Sequence, residues 1–232
     1  MYAQLEKPKE NKSRVVTNSV VQKKTALLQL KKFTDEANTI SSYARAMIPN
    51  SGNRTKEVIA SNGKSYAGVA LIHYLIDKDH AGSWENRTNL AKRATLAVDI
   101  KAANCNQFAA LAYSEALRTT KADNVSLEYD AHHAYAVAYD NEDKAKPEEQ
   151  TIIDPWVKTT GLRKDLQTYY KGREGHQKAT TKADSGNWYY SQYTEELLKK
   201  YGRSVDDEIY NDTAKYGFDL AKEKEKEGAA SF

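Results

Sequence analysis

Apolar residues recur first at helical spacing and later at strand spacing, and that change of period divides the chain. Val20, Val21, Leu27, Leu28, Leu30, Phe33, Ala37, Ile40, Tyr43, Ala44 and Met47 follow one another largely at three- and four-residue steps. Such steps share one helix face, so the pattern predicts one long helix or two broken ones ending before Pro49. Residues 49–53, with Gly52, read as a loop, and 79–83 as a turn. The apolar run from Tyr66 to Ile76 predicts a short helix over 65–76; a strand stays open, because period alone cannot settle a short run. A helix is expected over 84–100, where Leu90, Ala94, Ala97 and Val98 share a side. The next begins at Asn104 and Cys105, with Phe108, Leu111, Ala112 and Ala116 at helical steps, which sets Cys105 at a helix start.

After Arg118 the period becomes two. Val125, Leu127 and Tyr129 alternate with polar neighbours, His133, Tyr135, Val137 and Tyr139 alternate with alanines, and Thr151 to Asp154 forms a third β-rich run. Residues 140–149, with Asn141, Asp143 and Pro147, have the composition of a hairpin loop. Beyond Trp156 the chain is polar and tyrosine-rich, with helices expected over 190–201 and 205–227. The predicted fold is α+β: a cysteine-bearing helix packed on a small antiparallel sheet, flanked by N- and C-terminal helices. The expected organisation is a loose arm over 1–16, a single domain over 17–220 and a charged, solvated tail over 221–232.

Composition narrows the function classes. The chain has 232 residues, enough to bury a substantial core, and 40% hydrophobic residues. Its mean hydropathy is -0.80, and no apolar run approaches the roughly 20 residues of a membrane span. The N-terminus lacks the apolar stretch of a secretory signal peptide, so export by that route is not expected. With 35 basic and 32 acidic residues, the charge gives no footprint for nucleic acid. A single cysteine excludes an internal disulfide and a paired-thiolate metal site. His73, His80 and His176 lack partners at metal-ligand spacing, and no metal or organic cofactor is implied.

The lone thiol therefore draws attention to its surroundings. Cysteine attacks a carbonyl as thiolate, and a helix N-terminus favours that charge. The same N–H groups suit an oxyanion, with Asn104 or Gln107 as the candidate side-chain donor. An imidazole must come from elsewhere in the chain. His133 is the preferred partner because it leads into the apolar strand; His132 points to the opposite face, and a one-residue slip of register exchanges the two. Asp154, ahead of Pro155, ends the next strand, from which its carboxylate can orient the imidazole. Trp156 and His132 are candidates for the wall of a substrate groove.

The blocks Asn104-Cys105-Asn106-Gln107-Phe108-Ala109-Ala110-Leu111-Ala112, His133-Ala134-Tyr135-Ala136-Val137 and Ile152-Ile153-Asp154-Pro155-Trp156 resemble the three motifs of papain-like and transglutaminase-like bacterial effectors. The resemblance spans about residues 104–156. It implies a papain-like or transglutaminase-like core with Cys105, His133 and Asp154 as the catalytic triad. It also implies a cysteine-dependent amide hydrolase or acyltransferase acting on a protein substrate, a host protein included. Glutamine deamidation is the favoured chemistry, with proteolysis and transglutamination as alternatives. The glutamate-bearing C-terminal run is similar to the translocation signals of some type IV-secreted effectors. The expected location is accordingly the cytoplasm, or a host cell reached through a dedicated secretion system.

Each residue also has a plainer reading. A lone buried cysteine is commonly an inert core residue, a strand histidine commonly a satisfied one, and Asp before Pro a turn initiator. The same chain could therefore be a non-catalytic protein-binding module with an idle thiol, or a mainly helical interaction protein.

Overall fold

The computed structural model describes residues 33–80, 86–129, 132–140, 150–166, 170 and 186–231, together with the backbone of 177–182. The expected arm over 1–16, the helical pattern over 17–32 and most of the hairpin loop over 140–149 lie outside the described residues. The predicted α+β class holds.

Helix α1 is described over residues 33–47 and stops ahead of Pro49, as the apolar spacing predicts. Helices α2 (Thr55–Ala60) and α3 (Lys64–Lys78) follow, then α4 (Arg87–Ile100), capped by the Asn86 side chain on the Thr88 N–H. The run around 65–76 is helical, not extended. Helix α5 spans Cys105–Thr119, and every residue from Gln107 to Leu117 is buried. Phe108 and Leu111 pack into the cluster made by α3 and α4. Ala109, Ala112, Tyr113 and Ala116 pack on the sheet. A helix enclosed on two sides holds its first residue, Cys105, in a fixed position.

Five antiparallel strands follow: β1 (Asn124–Tyr129), β2 (Ala134–Tyr139), β3 (Thr151–Asp154), β4 (Thr159–Leu162) and β5 (Gln177–Lys182), in spatial order β4-β3-β2-β1-β5. The alternation along β2 separates two faces. Ala134, Ala136 and Ala138 face α5, where small side chains allow helix and sheet to approach closely. Tyr135, Val137 and Tyr139 join Ile152 and Tyr170 on the far side. There the buried Glu128 carboxylate accepts hydrogen bonds from Arg163 (2.5 Å) and the Tyr135 hydroxyl (3.0 Å). In the β2–β3 register Ala136 pairs with Ile153, so the next step places Asp154 beside Tyr135. His133 lies two residues beyond Tyr135.

Strands β4 and β5 are additions to the sequence-based expectation. Gln177–Lys182 alternates weakly, and β4 carries Gly161 at φ 151°; both lie at sheet edges, where the apolar signal is thin. Two C-terminal helices close the fold, α6 (Tyr193–Lys200) and α7 (Glu208–Lys226). The helix expected over 205–227 is present, and it carries the first part of the charged tail over 221–232. Helix α7 continues to Lys226, with Tyr210, Ala214, Gly217 and Ala221 buried against α2 and α3 at four-, three- and four-residue steps. The alternating lysines and glutamates occupy its outer side, and the Ala230 carbonyl accepts from the Thr55 N–H at 3.1 Å. Among the described residues no helix is long and apolar enough to cross a membrane.

Candidate active site

Helix α5 starts where the sequence predicts, and its start is built by a capping box. The Asn104 side-chain oxygen accepts from the Asn106 N–H (2.8 Å), while Gln107 Oε1 accepts from the Asn104 N–H (2.9 Å). Cys105 is thereby the first helical residue. Its own N–H belongs to the first-turn group that has no partner within a helix. The sulfur stands at an edge of the core and is 7% exposed. Its near neighbours are polar: Asn106 Oδ1 at 3.7 Å and the His132 carbonyl oxygen at 4.0 Å.

His133 immediately precedes β2 and is 3% exposed. Its Nε2 meets Asp154 Oδ2 at 2.5 Å, across a sequence separation of 21 residues. Burial pushes the imidazole toward neutrality. Asp154 and Cys105 oppose this through hydrogen bonding and charge, and the balance lifts His133 from 6.5 to about 9. A charged imidazolium therefore persists through neutral pH beside Cys105.

Asp154 ends β3, is 1% exposed, and is nevertheless fully solvated by protein. Oδ2 accepts from His133 and from the Tyr170 hydroxyl (2.6 Å). Oδ1 accepts from the Trp156 N–H (3.2 Å) and the Val157 N–H (3.4 Å) in the turn that Pro155 begins. Four donors from three parts of the chain meet the carboxylate, so both oxygens of this buried group are hydrogen-bonded.

Trp156 covers this assembly. Its ring centroid lies 5.0 Å from that of His133. Its Nε1 donates to Ser51 Oγ (3.0 Å) and Asn53 Oδ1 (2.8 Å), and its carbonyl accepts from Arg54 (2.5 Å). The loop over 49–53 is in turn pinned to the entry of α5, since the Gly52 N–H donates to the Ala103 carbonyl (2.8 Å). A Cβ at Gly52 would stand 2.4 Å from the Ser65 carbonyl oxygen, so only glycine permits this approach. Glu57 braces the loop from below, accepting from the Ser51 N–H (2.6 Å) and Arg45 (2.8 Å). Although burial raises it, these partners hold its carboxyl below the usual range.

Cys105, His133 and Asp154 thus converge. His132 does not join them through its ring: the side chain is exposed, and only its carbonyl approaches the sulfur. Asn104 and Gln107 spend their oxygens on the helix cap, and Gln107 is wholly buried. Trp156 is half-buried beside the histidine. Tyr170, Ser51, Asn53 and Arg54 also belong to the site, and no pattern in the sequence singles them out: Tyr170 lies in a tyrosine-rich polar stretch and the others in loop composition. Among the described residues no group of three or more His, Cys, Asp or Glu side chains is arranged to hold a metal ion. The arrangement offers a nucleophilic sulfur, a proton donor beside it and a carboxylate that orients the donor. Compared with protein-family models, curated proteins and solved structures, the chain matches none of them.

Proposed function

We propose that this protein is a cysteine-dependent amide hydrolase or acyltransferase on a papain-like or transglutaminase-like core, acting on protein substrates, with glutamine deamidation as its leading reaction. The observation that carries the reading is the bond of His133 Nε2 to Asp154 at 2.5 Å, in a ring whose protonated form Cys105 also favours. The Cys105 thiolate attacks the carboxamide carbon, forming a C–S bond and moving the carbonyl π pair onto oxygen. Collapse expels the amine, which takes its proton from the His133 imidazolium. Water, giving its proton to the now neutral imidazole, then attacks the thioester, releases the acid and restores the thiolate–imidazolium pair. Asp154 keeps the ring oriented and stabilises its charged form.

Proteolysis and transglutamination share the thioester and differ in the amide attacked or the nucleophile that resolves it. A host protein as substrate, and delivery by a dedicated secretion system, rest on the motif resemblance alone. The test is intact-mass analysis of casein and glutamine-containing peptides incubated with wild type and with Cys105→Ala. The mass gain of an amide-to-acid conversion, in wild type only, is the expected result; ammonia loss with an adduct, or fragments, would redirect the reading to crosslinking or proteolysis. A wild-type thiol that alkylates with an ordinary cysteine pH profile, near a midpoint of ~8.5, and that His133→Ala does not alter, would overturn it.

A further inference from the structure

A thioester mechanism needs a donor for the oxygen that becomes negative, and the two side chains that the sequence offers are both tied into the helix cap through their oxygens. Gln107 lies two residues after the nucleophile, about 200° around the helix from it, whereas Asn106 is about 100° away. Gln107 is also wholly buried away from solvent, its Oε1 holding the Asn104 N–H and its Nε2 without a hydrogen-bond partner. Asn104 is fixed as the cap, its oxygen over the Asn106 N–H. Asn106 differs from both. It is half-exposed, and its side-chain amide stands against the sulfur, with Oδ1 3.7 Å from Sγ. Its backbone N–H is already satisfied by Asn104, so the side chain is not needed for the cap.

We propose that Asn106 is the side-chain oxyanion donor, acting with the Cys105 backbone N–H. With the sulfur as a neutral thiol, S–H donates to Oδ1. Once the sulfur is a thiolate, an acceptor oxygen opposite it is repulsive, and a half-turn about χ2 presents Nδ2–H instead, along a torsion that is broad and nearly two-fold. In the tetrahedral adduct the oxyanion is borne by the carbon newly bonded to sulfur. A donor amide seated beside Sγ can then reach the ~2.7–3.1 Å that oxyanion stabilisation requires. The Cys105 N–H, unpartnered within the helix, approaches from the axis of α5. Asn106 thus serves the thiolate before attack and the oxyanion after it.

This assignment rests on the proposed nucleophilic role of Cys105, and two small probes separate the two claims. Iodoacetamide alkylates a thiolate by displacement at saturated carbon, with no oxyanion. p-Nitrophenyl acetate acylates the same sulfur through a tetrahedral oxyanion and releases nitrophenolate, an anion that needs no proton. Both rates are measured on the intact protein, with the site of modification read by mass spectrometry. In Asn106→Ala, acylation of Cys105 is expected to fall about 100-fold, the usual scale for loss of one oxyanion donor. Alkylation, compared at equal thiolate fraction, should fall less than about threefold, which also reports an intact triad. Asn106→Asp, which keeps the shape and loses the donor, should behave like Asn106→Ala in acylation. Parallel falls in both rates, or no selective fall in acylation, would overturn the assignment. So would a selective loss in Asn104→Ser, which keeps a capping oxygen, and not in Asn106→Ala. Failure of the nucleophilic role is seen separately, as an ordinary thiol pH profile for alkylation of the wild type.

Discussion

Replacing Asp154 with asparagine removes the negative charge that keeps His133 protonated while leaving nearly the same shape. In the native protein burial works against the imidazolium, and Asp154 and Cys105 outweigh it, lifting the ring from 6.5 to about 9. The difference, 9 − 6.5, is about 2.5 units, equivalent to about 3 kcal/mol at ~1.36 kcal/mol per unit. His133 is 3% exposed, so water screens little of this. Because the folded-state value is raised, the stabilisation is complete below pH 6.5 and is lost as pH climbs through about 9. In Asp154→Asn burial gains the upper hand, and the His133 midpoint should fall by at least about one unit. The amide also cannot serve four donors: either its NH2 faces His133 and Tyr170, or it faces the Trp156 and Val157 N–H groups. That mismatch adds roughly 1–3 kcal/mol of destabilisation at every pH. Imidazole titration by NMR gives the midpoint, and urea unfolding from pH 6 to 9.5 gives the pH slope. The difference between wild type and variant isolates His133 from other titrating groups. A variant whose His133 still titrates near 9, or whose stability changes with pH as the wild type's does, would refute the reasoning.

Two other substitutions probe the supports of the site. Trp156→Phe removes the Nε1 donor shared by Ser51 and Asn53; a loss of about 1–2 kcal/mol in urea unfolding is expected, with slower alkylation of Cys105 as the cover over His133 loosens. Glu128→Ala leaves the buried Arg163 without its carboxylate, so unfolding should become easier by about 3–5 kcal/mol, and the Tyr135 phenol, held up by burial and by Glu128, should titrate lower in a spectrophotometric titration.

The parts of this fold that were legible are those with a strong period. The helical steps after Cys105 and the large–small alternation from His133 to Tyr139 encode two elements, and their joint burial brings the cysteine, histidine and aspartate to one end of the sheet. Edge strands β4 and β5 carry too little apolar signal to declare themselves. The charged run after Ala221 reads as solvent-facing, which it is, while the buried stripe of the same helix ends at Ala221. Asn104 and Gln107 show how one pattern can serve two ends. An Asn followed three residues later by Gln is a helix-start signature as well as a pair of polar donors near a nucleophile, and in this chain the cap claims it. Ser51 and Asn53 reach the site through loop geometry, which has no period to read.

The carboxylate of Asp154 has a consequence for how the thiol comes into being. Its partners arrive from the start of β2, from its own turn and from Tyr170, so no single segment can supply the imidazolium that Cys105 faces. A nascent or partly unfolded chain that retained α5 alone would hold Cys105 without His133 and Asp154 beside it. On the proposed function, nucleophilic power would be a property of the finished tertiary structure, and the alkylation rate of this one sulfur would double as a readout of whether the sheet has assembled.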